Sequence, residues 1–255
     1  GYELRQSNRD RYFMERTTAS RAFFVGEYDL GAELSGGLGP LRYAVAVQNG
    51  TPLSDTGDNT DYTSEKTVVG RLGADSAGST FQVGGGASLL DGTGFHAGTA
   101  ATKTTLSWSD NNQDGLVSLA ELEGNPGQAA TESSTYTRWA VGADLELGLH
   151  TPAGWTRVVG EGVFATNLDR GFYVADPVST GYDIREFAWS VAAVQDVTKW
   201  GYVAFRADSY DPNSDFYDER LGQFIPTDAT VLTLSPAVGV QVPGLARLSV
   251  QYDYV

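Results

Sequence analysis

Between Arg138 and Leu149 the chain alternates without a break. Trp139, Val141, Ala143, Leu145, Leu147 and Leu149 share one parity; Arg138, Ala140, Gly142, Asp144, Glu146 and Gly148 share the other. A strand turns successive side chains to opposite faces, so this stretch predicts a ribbon with one apolar and one polar side. The period returns at 246–254, where Leu248, Val250, Tyr252 and Tyr254 oppose Arg247, Ser249, Gln251 and Asp253. It returns again at 41–48, with Leu41, Tyr43, Val45 and Val47 against Arg42, Ala44, Ala46 and Gln48. The pattern predicts ten strands, over 22–34, 41–48, 67–74, 79–90, 135–149, 154–166, 183–197, 200–209, 230–242 and 246–255. Pro236 interrupts the ninth, because proline removes one ladder donor. No apolar run approaches the ~20 residues of a spanning helix. The fold class read here is all-β and antiparallel.

The connections sort by length. Short turns fall at 35–40, 75–78, 151–154, 198–199 and 243–244, and long polar loops at 49–66, 91–134, 167–182 and 210–229. A soluble sandwich or propeller also alternates along its strands, but has no reason to place every long loop on one side. A transmembrane β-barrel does. A charge on the lipid side of such a barrel costs about 2–4 kcal/mol at the bilayer midplane, so the charged face is expected to line water. Trp139, Trp155, Trp200, Tyr202 and Tyr254 suit interfacial girdles or ordinary packing equally. With ten strands both chain ends fall on the long-loop side. The expectation is one barrel domain over 1–255, belonging to a larger barrel of about 12 strands or more with a water-filled lumen.

Composition removes whole classes of function. The absence of Cys excludes disulfide scaffolds and thiolate sites, and the only imidazoles are His96 and His150. A net charge of −15 argues against a nucleic-acid binder. No G-x-S-x-G, H-E-x-x-H or P-loop occurs, so an enzyme is not expected. Most of the negative charge sits in the four long loops, while the strands are close to neutral. Segment 1–21 runs the other way, with Arg5, Arg9, Arg11, Arg16 and Arg21 against Glu3, Asp10 and Glu15.

The most specific local motif lies in the longest loop. Asp110-Asn111-Asn112-Gln113-Asp114-Gly115-Leu116-Val117-Ser118-Leu119-Ala120-Glu121 fits D-x-[DN]-x-[DN]-G-x5-E at each defined position. Asp110, Asn112 and Asp114 offer side-chain oxygens, Leu116 its carbonyl, Ser118 a direct or water-mediated ligand, and Glu121 a bidentate carboxylate, while Gly115 permits the sharp turn. No helix is expected before Asp110, so 110–121 reads as an EF-hand-like Ca²⁺ loop rather than a full EF-hand.

The run Gly1-Tyr2-Glu3-Leu4, Ser7-Asn8-Arg9-Asp10 and Phe13-Met14-Glu15-Arg16, followed by Asp29-Leu30-Gly31 and SGGLGPLRYAVAVQNG at 35–50, resembles the phosphate-selective porin O/P family. The resemblance is close over about the first fifty residues and by pattern only beyond them. It implies a 16-stranded, usually trimeric porin of the Gram-negative outer membrane, with strands preceding Gly1, a size class that leaves an aqueous channel. It also implies an anion channel. Arg42, Arg71, Arg138, Arg157, Arg206 and Arg247 fall on the charged face, together with Asp29, Glu33, Asp144, Glu146, Glu161, Asp208 and Asp253. They either form Arg–carboxylate ties within the wall or set a field in which arginine attracts anions. Arg5, Arg9 and Arg11 either reach the pore as its anion-attracting constriction or pair with neighbouring loop acids. The expected function is passive diffusion of small anions such as phosphate through a homotrimeric channel set in lipid, with a Ca²⁺-stabilised outer loop. The alternative is a structural or adhesive barrel whose calcium loops hold a partner protein or surface polymer.

Overall fold

The computed structural model describes residues 11–24, 29–50, 64–215, 217–220, 223–226, 229–242 and 246–255. Helix α1 (Thr18–Phe23) precedes β1 (Gly31–Leu38), β2 (Leu41–Gln48), β3 (Thr67–Ala77) and β4 (Phe81–His96). A small hairpin, β5 (Thr105–Trp108) and β6 (Leu122–Asn125), comes next, then β7 (Ser134–Thr151) and β8 (Gly154–Thr166). Helix α2 (Pro177–Thr180) leads to β9 (Arg185–Asp196) and β10 (Gly201–Asp211). A second hairpin of β11 (Tyr217–Arg220) and β12 (Gln223–Pro226) follows, then β13 (Val231–Val242) and β14 (Ala246–Gln251). Ten of these strands make one antiparallel sheet in the order β1-β2-β3-β4-β7-β8-β9-β10-β13-β14. No helix among the described residues is long and apolar enough to cross a membrane.

The chain divides into two compact units, Phe95–Tyr136 and the remainder. In the larger unit the register carries the alternation across neighbouring strands. Glu146, Val159, Ala192, Arg206 and Ser235 form one row of direct partners, and Asp144, Glu161, Ser190, Asp208 and Thr233 the row beside it. Leu147, Val158, Ala193, Phe205 and Pro236 form a row on the other face. Direct partners share a face, so charge gathers on the first two rows, with Val159 and Ala192 as apolar exceptions, and the third row is apolar throughout. Burial follows the rows in an inverted sense. Asp144 is 8 % exposed and Arg138 5 %, whereas Leu145, next to Asp144, is 51 % exposed. Leu34, Leu72, Leu89, Phe205, Val238 and Leu248 carry the exposed apolar face across the sheet.

Two tight connections explain their own chemistry. Leu38 pairs with Leu41 across Gly39-Pro40, and Gly39 takes φ +59, where a side chain would be strained. Thr151 pairs with Gly154, and its hydroxyl donates to the Gly154 carbonyl at 2.8 Å. Pro236 breaks the ladder toward β14: regular pairing stops at Ala237–Gln251 and resumes as a single bridge between Leu234 and Tyr254.

Several expectations need correction. The first strand is not 22–34: Ala22 and Phe23 lie in α1, which Thr17 caps by accepting from the Ser20 N–H, and β1 begins at Gly31. The loops at 91–134 and 210–229 are not plain connections, since each contains a four-residue hairpin. β4 also runs on to His96, past the expected end at 90. Most of the 49–66 loop lies outside the described residues.

In the smaller unit, segments 97–104 and 126–133 face each other through Thr102 N–H to the Gln128 carbonyl and Thr131 N–H to the Thr99 carbonyl, both 2.9 Å. The β5–β6 hairpin places Leu106 opposite Gly124 and Trp108 opposite Leu122.

Candidate functional site

The charged face of the large sheet is covered in part by the segment 11–24, which lies along β8, β9, β10 and β14 as a strap. Its helix is seated by apolar contact: Ala22 and Phe23 pack with Ala140, Ala165, Leu168, Ala188 and Tyr210. The Ala22 carbonyl accepts from the N–H groups of Arg170 and Gly171 at 2.9 and 3.0 Å, and Thr18 N–H donates to Asp208 Oδ1 at 3.1 Å. The other end is seated by arginines and rings. Arg157 donates to the Tyr12 hydroxyl at 2.8 Å, Arg247 lies 5.5 Å from the centre of the Tyr12 ring, and Tyr202 meets that ring edge-on. Arg206 lies 4.8 Å from the centre of the Phe13 ring and donates to the Glu15 carbonyl at 2.9 Å. Such cation–ring contacts are each worth about 0.5–2 kcal/mol, more as water is removed. Burial is the main cause that raises the Tyr12 hydroxyl pKa above its usual value of 10.0, so it stays a neutral hydrogen-bonding group at neutral pH.

This settles where the arginines of the charged face lie. Arg157, Arg206 and Arg247 come together under the strap. Arg71 sits apart, forked onto Asp144 with Nη2 to Oδ1 at 2.8 Å and Nη1 to Ser88 at 3.1 Å. Arg138 is buried and donates to the Gly50 carbonyl at 2.5 Å and Thr67 at 3.1 Å, tying down a loop end. Arg42 donates to the carbonyls of Gly39 and Leu41 at the β1–β2 turn. These six act as ties, to carboxylates, backbone carbonyls and aromatic groups. Arg11 belongs to the strap, whereas Arg5 and Arg9 lie outside the described residues.

Sequence reasoning missed the strap's aromatic residues as the arginines' partners, and it missed a buried carboxylate pair. Glu186 is fully buried and accepts from Leu168 N–H and Asp169 N–H at 3.0 and 2.7 Å. Asp169 accepts from the N–H groups of Gly171, Phe172 and Tyr173 and, at 2.5 Å, from the Tyr210 hydroxyl. Together they hold the start of the 167–182 loop. Asn167, in the left-handed region at φ +57, adds a bond to Asp183.

The 110–121 segment has its own internal order. Asp110 accepts from Asp114 N–H and Gly115 N–H, Asn112 from Asp114 N–H, and Asp114 from Leu116 N–H. Glu121 takes Asn111 N–H at 3.1 Å with one oxygen and both groups of Ser118 with the other, closing the twelve-residue span end to end. The Ser118 bonds are the largest cause that holds the Glu121 carboxyl below its usual pKa. Gln113 and Gly115 both take positive φ, at +59 and +75. Among the described residues no three acidic or imidazole groups converge to metal-binding spacing. The carboxylates instead serve backbone donors, as mutually repelling charges do. The donor set is all oxygen, the kind that hard divalent cations take.

The chain was compared with protein-family models, with curated proteins and with solved structures, and none matches.

Proposed function

We propose that the chain forms the wall of an outer-membrane porin of a Gram-negative bacterium, a water-filled channel for passive diffusion of small anions such as phosphate. The observation that carries this reading is the inversion of faces in a single sheet: on one side the charged residues of β3, β7 to β10 and β14 lie buried or half-buried, and on the other apolar residues lie exposed across ten strands. Soluble monomers rarely expose contiguous apolar patches beyond a few hundred Å². Lipid is the solvent that such a face suits. The porin O/P resemblance adds a closed barrel of 16 strands and a trimer to this proposal. Because Arg42, Arg71, Arg138, Arg157, Arg206 and Arg247 serve as ties, anion preference in this reading comes from Arg5, Arg9 and Arg11 of the basic N-terminal stretch. In the outer loop, Asp110, Asn112, Asp114, the Leu116 carbonyl, Ser118 and Glu121 are proposed to hold one Ca²⁺, which would neutralise three carboxylates that otherwise repel.

The test is single-channel current in a planar bilayer, with the reversal potential measured across a salt gradient. Steady current is expected, anion-favouring, and shifted toward cations when Arg5, Arg9 and Arg11 are all replaced by Gln. No steady current removes the porin reading, and a cation-selective wild type removes its anionic part. A second reading, an adhesive barrel, is favoured by one observation: Trp108 and Leu119 of the smaller unit are 60 % and 89 % exposed. It predicts no steady current in the same measurement.

A further inference from the structure

Between the strap and the charged face lies a pocket whose chemistry differs from that of the face around it. Its floor is built from two register pairs, Val159 with Ala192 and Arg157 with Val194. Val159, Ala192 and Val194 therefore form a small apolar patch at positions where the sheet otherwise carries charge. Phe13 lines the strap side, Arg11 also borders the pocket, and Glu161 stands one row along the floor. Its enclosed space is about 50 Å³, and it opens to solvent.

Arg11 Nε is buried and has no hydrogen-bond partner among the described residues. A buried donor left unmade costs about 1–3 kcal/mol, more when it is charged, and an incoming acceptor recovers this. Arg157 and Arg206 also line the pocket, held there by their bonds to the Tyr12 hydroxyl and the Glu15 carbonyl and paired with Asp196 and Asp208, which leaves Arg11 as the guanidinium for an incoming anion. A planar carboxylate is the acceptor that fits a guanidinium edge-on. The apolar patch then requires that the rest of the ligand be apolar too. A phosphate dianion meets the opposite terms: all its oxygens need partners, Val159, Ala192 and Val194 offer none, and Glu161 repels the second charge.

We infer that this pocket is a binding subsite for a small monocarboxylate with an aromatic or branched apolar body, its carboxylate on Arg11 and its body between Phe13 and the Val159–Ala192–Val194 patch. The inference rests on the reading that this face borders water. It narrows the preferred solute from inorganic anions to organic ones.

Calorimetry on the folded, detergent-solubilised protein, with sodium benzoate and inorganic phosphate as separate probes, tests it without reference to conductance. Benzoate is expected to bind saturably, one per chain, and roughly tenfold or more tighter than phosphate. Arg11→Gln should weaken benzoate by a similar factor, Val159→Ser should weaken benzoate and leave phosphate unchanged, and Glu161→Gln should strengthen phosphate. Each variant is first checked for the wild-type shift in gel mobility between heated and unheated samples, so that a folding failure is seen as such. Equal binding of the two probes, no saturable benzoate binding, or unchanged binding in folded Arg11→Gln overturns the subsite. Benzoate binding without current in bilayers overturns the porin reading alone, and current without benzoate binding overturns the subsite alone.

Discussion

Arg157 donates a 2.8 Å hydrogen bond to the hydroxyl of Tyr12, 145 residues away in the chain. One bond thus joins the strap to the middle of the sheet's charged face, and it does so with a residue that alternation alone would present to open water. Tyr12→Phe keeps the ring between Tyr202 and Arg247 but removes the acceptor. We expect a loss of about 1 kcal/mol in stability, read as a lower urea midpoint in micelles, and faster tryptic cleavage in 11–16. Unchanged cleavage would mean that the ring contacts alone hold the strap.

The fully buried Glu186 is the second anchor to test. Glu186→Gln leaves one acceptor oxygen and turns an amide donor toward the N–H groups of Leu168 and Asp169. The expected cost is about 2–3 kcal/mol, with protease sensitivity appearing in 167–182. Asp215→Asn is the control: its ion pair with Arg185 is more than half exposed on both sides, so it should cost no more than about 0.5 kcal/mol.

Val45 and Ala46 are neighbours in β2 on opposite faces, so substituting each in turn tests the proposed division between lipid and water. Val45→Lys should cost about 2–4 kcal/mol and block insertion into vesicles. Ala46→Lys, opposite Glu33, should insert normally. Equal behaviour of the two would remove the membrane assignment of the faces.

The Glu121 carboxyl is held below its usual pKa by the Ser118 and Asn111 donors. A depressed folded pKa means that this carboxylate's contribution to loop order is complete above the ordinary carboxyl range and is lost as pH falls through the lowered value. The protection factors of the Asn111 and Ser118 amides, which correct for the intrinsic pH dependence of exchange, should therefore hold from pH 7 to about 5 and fall in stronger acid. Ca²⁺ titration at neutral pH should show one saturable site that Glu121→Gln weakens. Absence of binding at millimolar Ca²⁺ would remove the calcium assignment.

The strands were legible because alternation is a local property: Arg138–Leu149 shows its two faces without reference to any other part of the chain. What was not legible depends on register. Arg71 reaches Asp144 only because β3, β4 and β7 are adjacent in the sheet, and no spacing in the sequence encodes that. The end of helix α1, Ala22 and Phe23, falls within the stretch expected as strand because six residues, TASRAF, are too few to show a helical period, and the Thr17 cap is a weak signal beside Phe23 and Phe24. The Asp110–Glu121 motif was visible in full, since its residues are contiguous. The pocket was not, because Arg11 and Val159 meet only after the strap has docked.

The anchors of the strap lie far along the chain from the strap itself: Thr18 meets Asp208 across 190 residues, and Met14 meets Gln251 across 237. Loops of that length close slowly, and their closure gains nothing until the far strands exist. The residues made early must therefore wait for those made late. The last step of folding is then the docking of the strap, and a sheet halted before that step would leave Arg157, Arg206 and Arg247 uncovered.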